Sequence, residues 1–166
     1  MKLYELNGEK LSQVHSIPFK LEHDIQIVVE KNVDQIFGLE LVKSEFSIGG
    51  FRFDSLCFDP ESNSFVIIEY KKGSSYSVID QGYTYLSILI NNKSDFILEY
   101  NETKEKHLRR DEIDWSQSRI IFISPKFSDY QKNSINFKNI PFELWEIKQY
   151  DGGFICPDPL IIGQNG

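Results

Sequence analysis

The chain has 166 residues, of which 40% are hydrophobic and 14% aromatic. These fractions exclude a disordered chain and predict one compact domain with a single core. The formal net charge is −7, which argues against a protein that coats nucleic acid through bulk charge but does not exclude an enzyme with a local basic groove. No apolar run approaches the ~20 residues of a membrane span, and the first residues lack the layout of a signal peptide. We therefore expect a cytoplasmic protein with no membrane partner.

The first half of the chain predicts a hairpin or arm, then one helix and three strands. Residues 1–16 have weak periodicity, whereas apolar residues recur at steps of three and four from Pro18 to Phe37 and predict a helix that ends at Gly38. Turn signals then separate three extended segments, which we predict to form a meander, at 39–47, 51–59 and 65–68. Alternation in the second segment places four residues on one side, namely Phe51, Phe53, Ser55 and Cys57.

The second half of the chain predicts further helices and strands. Helices are expected at 78–90 and 125–137, and strands at 95–100, 119–124 and 142–150. The charged segment 101–116 and the Gly and Pro clusters at 152–159 are predicted to be loops. The order of these elements predicts an α/β fold in which helices cover a mixed sheet on both faces. The chain has no internal repeat or long linker, so we expect a single domain over residues 1–166.

Three polar residues stand where the surrounding sequence is strongly apolar. Asp54 interrupts a strand rich in aromatic residues, and Glu69 and Lys71 close the most apolar strand of the chain. A buried carboxylate is costly unless it is paired or bound to a metal. Glu69 and Lys71 are two residues apart and so point to one face of a strand, while Tyr70 points away and offers its carbonyl. If the strand of Asp54 pairs with this one, both carboxylates converge on a single point.

Two carboxylates and a carbonyl, completed by water, form a ligand set that Mg²⁺ accepts. A bound Mg²⁺ polarises a phosphate oxygen and lowers the pKa of a coordinated water. A neighbouring ammonium, here that of Lys71, can orient that water or stabilise charge in the transition state. Arg52 and Lys72 are nearby cations that could meet phosphate. This set of residues is therefore chemically complete for hydrolysing a phosphodiester bond.

Asp54, then fourteen residues, then Glu69-Tyr70-Lys71 resembles the D-(x)n-(D/E)xK signature of the PD-(D/E)XK nuclease superfamily. Many members carry an acidic residue on the helix before the meander, and Glu22 fits that place, with Glu30 on the same helix face as the alternative. Gln81 and Tyr85, four residues apart on one helix face, resemble the QxxxY motif of the RecB-related members. The motif spacing is most similar to the catalytic domain of the NucS/EndoMS endonucleases, although the signature proline is replaced by Phe53.

The resemblance implies a restriction-endonuclease-like mixed sheet flanked by helices. Its α-β-β-β-α-β core is expected at about 18–100, with an extension of the sheet at about 115–150. The resemblance also implies a nuclease that cleaves DNA with Mg²⁺ or Mn²⁺, in repair or defence. The implied catalytic residues are Asp54, Glu69, Lys71 and Glu22. The implied metal ligands are Asp54, Glu69, Glu22 and the Tyr70 carbonyl, and the residues expected to support the site or bind substrate are Gln81, Tyr85 and Arg52.

Other interpretations of the same residues stay open. Asp54 could form a surface ion pair with Arg52, and Glu69 could pair with Lys71 at the end of the sheet. NucS-type enzymes join a DNA-binding domain to the nuclease domain, and this chain is too short for both. The alternative function is therefore a catalytically silent nuclease-fold module that binds nucleic acid or a protein partner. A homodimer or a partner subunit could complete either version.

Overall fold

The structure, a computed structural model, describes residues 1–73, 77–137 and 139–160. The helices are α1 (Glu22–Glu30), α2 (Val33–Phe37), α3 (Val78–Asn91), α4 (Lys93–Lys104) and α5 (Asp129–Ser134), with 3-10 turns at Arg110–Glu112 and Trp115–Gln117. The strands are β1 (Leu3–Asn7), β2 (Lys10–Val14), β3 (Ser16–Ile17), β4 (Glu40–Ile48), β5 (Phe51–Asp59), β6 (Ser64–Tyr70), β7 (Arg119–Ser124), β8 (Phe142–Tyr150) and β9 (Phe154–Pro159). None of the helices in these residues is long and apolar enough to cross a membrane.

A seven-stranded mixed sheet forms the centre of the molecule. Its strand order is β3-β8-β7-β6-β5-β4, and β9 pairs with β8. The strands β4, β5 and β6 run antiparallel as the predicted meander, whereas β7 joins β6, and β8 joins β7, in parallel. The predicted α/β fold class is confirmed, and the order helix, three strands, helix and strand is realised by α1, β4, β5, β6, α3 and β7. The last of these strands, β7, lies beyond the expected end of the core at about 100. The hairpin expected near the start is β1 with β2, in a separate two-stranded sheet.

Two apolar cores lie on the two faces of the sheet. The α3-side core includes Phe53, Phe65, Ile67, Tyr85 and Phe96. The α1-side core includes Ile25, Val29, Cys57, Ile68 and Tyr70. Strand β6 is buried along its whole length, because helices cover both of its faces, and this explains why its sequence is apolar without alternation. Its polar end at Glu69 is therefore enclosed on every side except the end of the sheet.

The helix predicted from Pro18 to Phe37 is shorter and interrupted. Helix α1 begins only at Glu22, and α2 starts again at Val33 after a break at Lys31–Asn32. The Asn32 side chain donates to the Val28 carbonyl at 2.8 Å, and such bonds compete with regular helix geometry. Gly38 ends α2 in the left-handed conformation, with φ 69°, as the sequence predicts.

The prediction of a strand at 95–100 is wrong, because this segment is part of helix α4. The expected loop at 101–116 accordingly begins with the last turn of α4 and contains both 3-10 turns. Phe96 and Tyr100 are four residues apart, so on a helix both reach the α3-side core. A short apolar run does not distinguish a strand from a buried helix by periodicity alone.

Two predictions near the end of the chain are also corrected. The expected loops at 152–159 contain β9, in which Pro157 and Pro159 stand opposite β8 residues. Proline is tolerated at a sheet edge because an edge strand has N–H groups without ladder partners. Of the segment 125–137, which was expected to be helical, only α5 forms a helix. It starts after Ser128, whose hydroxyl accepts from the Gln131 N–H.

Candidate functional site

The backbone ladder between β5 and β6 stops one step before the predicted site. Its last pair on that side is Ser55 with Ile68. Beyond it, the Asp54 N–H donates to Glu69 Oε1 at 2.8 Å, and the Tyr70 N–H donates to Asp54 Oδ2 at 3.0 Å. The two carboxylates thus replace the carbonyls that would continue the ladder. As the sequence predicts, Asp54 and Glu69 meet at one point.

The end of the ladder also changes which way β5 residues point. Phe53 packs in the α3-side core, whereas Cys57 lies in the α1-side core, and Phe51 is exposed. The expectation that Phe51, Phe53, Ser55 and Cys57 share one side is therefore wrong. Regular alternation requires a continuous pleat, and the strand leaves its regular pairing at Asp54. This departure is what lets Asp54 and Glu69 face each other.

Glu69 is a buried carboxyl group, with 3% of its surface exposed. Burial raises the pKa of Glu69 well above its ordinary value of 4.5, and the adjacent Asp54 carboxylate raises it further. The Asp54 N–H and the charge of Lys71 act in the opposite direction but do not cancel the effect. Two carboxylates held this close are costly when both are ionised, unless a cation stands between them. This donor set fits a hard divalent cation such as Mg²⁺ or Mn²⁺.

Lys71 continues directly from β6 toward the same site. It is buried, with 8% of its surface exposed, and its N–H donates to the Ile123 carbonyl of β7 at 2.7 Å. Its ammonium acts on Glu69 by lowering that carboxyl's pKa. The structure therefore brings the charge of Lys71 to the carboxylate pair.

Helix α3 supplies the wall of the site through Gln81 and Tyr85. The Gln81 amide donates to the Tyr85 hydroxyl at 3.0 Å. The pKa of Tyr85 is raised to about 12, by burial first and then by the charge of Glu69, while the Gln81 hydrogen bond and Arg52 lower it. Gln81 Oε1 is buried without a hydrogen-bond partner among the described residues. Both motif residues thus lie beside the carboxylates, and Gln81 retains an unused acceptor.

The packing of α3 depends on a glycine inside the predicted motif. A Cβ on Gly82 would lie 2.5 Å from the Phe142 ring, which is closer than packed atoms approach. Gly82 therefore lets α3 approach β8, which sets the position of Gln81 and Tyr85 above the sheet.

The two candidate helix acids are placed differently. Glu22 is exposed at the start of α1, and its carboxylate accepts from the Lys72 N–H at 2.8 Å, just past the end of β6. Glu30 instead accepts from the Ser55 hydroxyl at 2.6 Å. Within residues 1–73, 77–137 and 139–160, no group of three or more Asp, Glu, His or Cys side chains lies close enough together to hold a metal ion. The structure thus pairs Asp54 with Glu69, and the metal-binding roles of Asp54, Glu69, Glu22 and the Tyr70 carbonyl all stay predictions.

Further polar residues lie beneath the site and were not assigned roles from the sequence. The Gln26 amide donates to the Asp54 carbonyl at 3.1 Å and to Ser44 Oγ at 3.3 Å. The Ser55 and Tyr70 hydroxyls lie 2.9 Å apart. The available signal was the spacing of Glu22, Gln26 and Glu30, which places three polar residues in one row of the helix.

No protein-family model matches the chain. Over 155 residues, 93% of this chain, it is 47% identical to an uncharacterized protein of Haemophilus influenzae, of which it spans about half, 51%. A complex of EndoMS with double-stranded DNA aligns with a TM-score of 0.50 and 16% identity, over 88% of this chain and 64% of that one. A repair endonuclease from Pyrococcus abyssi aligns with a TM-score of 0.43 and 15% identity, over 80% of this chain and 50% of that one.

The comparisons establish the fold but do not establish an activity or its catalytic residues. The alignment with EndoMS covers most of this chain but less than two thirds of that protein. Together with the seven-stranded mixed sheet, it shows that the chain has the restriction-endonuclease-like fold.

Proposed function

We propose that this domain is a metal-dependent nuclease that hydrolyses phosphodiester bonds, with DNA as the substrate, in repair or defence. The observation that supports the proposal is the direct pairing of Asp54 and Glu69 at the point where the β5–β6 ladder stops. A fold that only needed stability would gain from two apolar residues at this buried position. Retention of two facing carboxylates beside a buried lysine is typical of a site that binds a cation.

The proposed roles follow from where each side chain lies. Asp54 and Glu69 would hold Mg²⁺ or Mn²⁺, with the Tyr70 carbonyl and Glu22 as further ligands. When bound, the ion supplies Lewis acidity to the phosphate and to a coordinated water. The backbone of Lys71 is held at the end of β6 by its bond to Ile123, and its ammonium would orient the attacking water and stabilise negative charge on the phosphate.

Three further residues would bind substrate or support the site. Gln81 holds Tyr85 by a 3.0 Å hydrogen bond, which fixes the wall that α3 presents to the carboxylates. Arg52, exposed two residues before Asp54, would bind a phosphate next to the one that is cleaved. Since the protein carries a net charge of −7, such local cations must supply its affinity for nucleic acid, and that affinity should fall with added salt.

DNA is proposed as the substrate because the EndoMS structure, which shares this fold, is a complex with double-stranded DNA. We propose that residues 1–166 act as one nuclease-like domain. The chain spans about half of its Haemophilus influenzae relative. We further propose that a second copy or a partner subunit contributes to substrate recognition.

Replacing Lys71 by alanine tests the catalytic proposal. We expect Lys71→Ala to reduce the cleavage rate by about 10²–10³-fold, because one charged donor to the reacting phosphate is lost. Divalent-cation binding should be retained, because Asp54 and Glu69 are unchanged. The measurement is single-turnover cleavage of labelled DNA in Mn²⁺, with Lys132→Ala on α5 as the matched control.

Two results would contradict this assignment. Undiminished cleavage by pure Lys71→Ala protein would exclude Lys71 from the chemistry. A wild-type protein that binds DNA and Mn²⁺ without cleaving single-stranded, double-stranded or branched DNA would favour the silent binding module.

A further inference from the structure

A buried polar network runs directly beneath the carboxylate pair, on the α1 side of the sheet. The Gln26 amide donates to the Asp54 carbonyl and to Glu30 Oε2, both at 3.1 Å. The same carboxylate oxygen of Glu30 accepts from the Ser55 hydroxyl at 2.6 Å, and Ser55 Oγ lies 2.9 Å from the Tyr70 hydroxyl. We call these four residues, Gln26, Glu30, Ser55 and Tyr70, the α1-side network.

The network contacts both strands at the residues next to the site. Ser55 follows Asp54 on β5, and Tyr70 follows Glu69 on β6. These are also the positions at which regular strand pairing ends, since Ser55 belongs to the last ladder pair and the Tyr70 N–H already donates to Asp54. The network therefore spans the gap between β5 and β6 from below, while the carboxylates occupy it from above.

Most of the α1-side network is buried. Ser55 is fully buried, and Gln26 is 6% exposed. Buried polar groups are costly unless they are hydrogen-bonded, and Glu30, Ser55 and Tyr70 supply such bonds to one another. Burial, opposed by the Ser55 hydrogen bond, raises the pKa of the Tyr70 hydroxyl far above its ordinary value, so the hydroxyl keeps its proton and can donate. Removing the Ser55 hydroxyl takes a hydrogen-bond partner from both Glu30 and Tyr70.

We propose that the α1-side network positions the metal-binding carboxylates, by fixing the separation of β5 and β6 where the ladder no longer does so. Gln26 holds the backbone of Asp54 from α1, and Ser55 with Tyr70 ties that backbone to the strand that carries Glu69. Gln26, Ser55 and Tyr70 thus act as positioning residues through their side chains, which touch neither substrate nor metal; the proposed metal ligand of Tyr70 is its backbone carbonyl. This inference rests on the proposed function for its consequence in catalysis, but the structural effect can be measured without metal.

Two conservative variants, each with a matched control, test the proposal. Tyr70→Phe removes one network hydroxyl, and Tyr100→Phe removes a buried hydroxyl from the α3-side core. Ser55→Ala removes the central hydroxyl, and Ser64→Ala removes an equally buried one at the other end of β6, which lies 2.6 Å from Ser62 Oγ. Thermal unfolding shows whether each variant is folded. If one of the two network variants, Tyr70→Phe or Ser55→Ala, is unfolded, the other one tests the proposal.

The first readout is amide hydrogen exchange without divalent cation. The N–H groups of Asp54 and Tyr70 donate to the two carboxylates. We expect both to exchange at least about tenfold faster in Tyr70→Phe and Ser55→Ala, and to be unchanged in Tyr100→Phe and Ser64→Ala. The second readout is the Mn²⁺ dissociation constant, which we expect to rise by about 10–100-fold in the network variants, as for other residues that orient metal ligands.

The two readouts separate the possible failures. If the wild type binds Mn²⁺ and the network variants bind it within twofold of the controls, the positioning role is overturned while the proposed function stands. If the wild type does not bind Mn²⁺, the proposed function fails; faster exchange confined to Asp54 and Tyr70 would still support the structural role. Unchanged exchange at both amides in folded network variants overturns the proposal whatever the metal result.

Discussion

Glu69→Gln is expected to stabilise the metal-free protein while it abolishes divalent-cation binding and DNA cleavage. The new amide would keep an oxygen to accept from the Asp54 N–H and would add an N–H to donate to the Asp54 carboxylate, which is in contact with Glu69. A buried polar group without full compensation costs about 1–3 kcal/mol, and a charged group costs more. For a domain of this size, each kcal/mol raises the unfolding midpoint by about 2–4 °C.

The effect should depend on pH with a defined sign. Because the pKa of Glu69 is raised in the folded protein, the folded state binds more protons than the unfolded state between the ordinary value and the raised one. The free energy of unfolding of the wild type therefore falls as pH rises through that window. The difference between Glu69→Gln and wild type should be small near pH 4 and largest at pH 8 and above.

Thermal unfolding in a chelating buffer between pH 5 and pH 9 measures this difference. Glu102→Gln, an exposed carboxylate on α4, is the matched control and should follow the wild type at every pH. Addition of Mn²⁺ should raise the midpoint of the wild type and leave that of Glu69→Gln unchanged, because only a protein that binds the ion in its folded state is stabilised by it. A variant less stable than wild type at pH 8 would contradict the description of the site.

Phe96→Ala is expected to cause the largest loss of stability. Phe96 is fully buried on α4, and its ring packs against Phe46, Phe53 and Phe65 at centroid distances of 5.2, 5.9 and 5.8 Å. Removal of a buried phenylalanine ring costs about 3–5 kcal/mol through lost burial and the cavity left behind. Leu98→Ala, exposed on the same helix, should change stability by less than about 0.5 kcal/mol.

The Phe96 substitution also tests whether α4 packs against Phe53, the residue next to Asp54. Phe53 lies one residue before Asp54 and packs on both Phe96 and Tyr85. Chemical denaturation of both variants gives the two free energies of unfolding. A loss below about 1 kcal/mol for Phe96→Ala would show that α4 does not pack in the α3-side core.

Much of the sheet was predictable, because its strands carry their own signals. Strand β5 and strand β7 begin and end where turn residues and dense apolar runs predict. Helix α4 was not predictable, since Phe96, Ile97 and Tyr100 resemble a strand when only the local run is considered. The break between α1 and α2 likewise depends on a side-chain bond of Asn32 to Val28, which hydrophobic periodicity does not encode.

Some residues of the candidate site were predictable from the sequence and others were not. Asp54, Glu69 and Lys71 were recognisable because charged residues in apolar strands have a high desolvation cost. The bonds from the Asp54 N–H to the Glu69 carboxylate and from the Tyr70 N–H to the Asp54 carboxylate form where the ladder stops at Ser55, and no local pattern predicts that register. The roles of Gln26 and the Tyr70 hydroxyl depend on contacts across 28 and 15 positions of the chain, which only the folded structure brings together.

A calorimetric titration of Mn²⁺ into the wild type and into the Asp54→Asn/Glu69→Gln variant tests the central claim most directly. The variant preserves the shape of both side chains and removes both charges. We predict one-site binding by the wild type and no binding by the variant, with the unfolding midpoint used to verify that both are folded. Absence of binding by the wild type, or equal binding by both proteins, would contradict the assignment of Asp54 and Glu69 as the metal-binding pair.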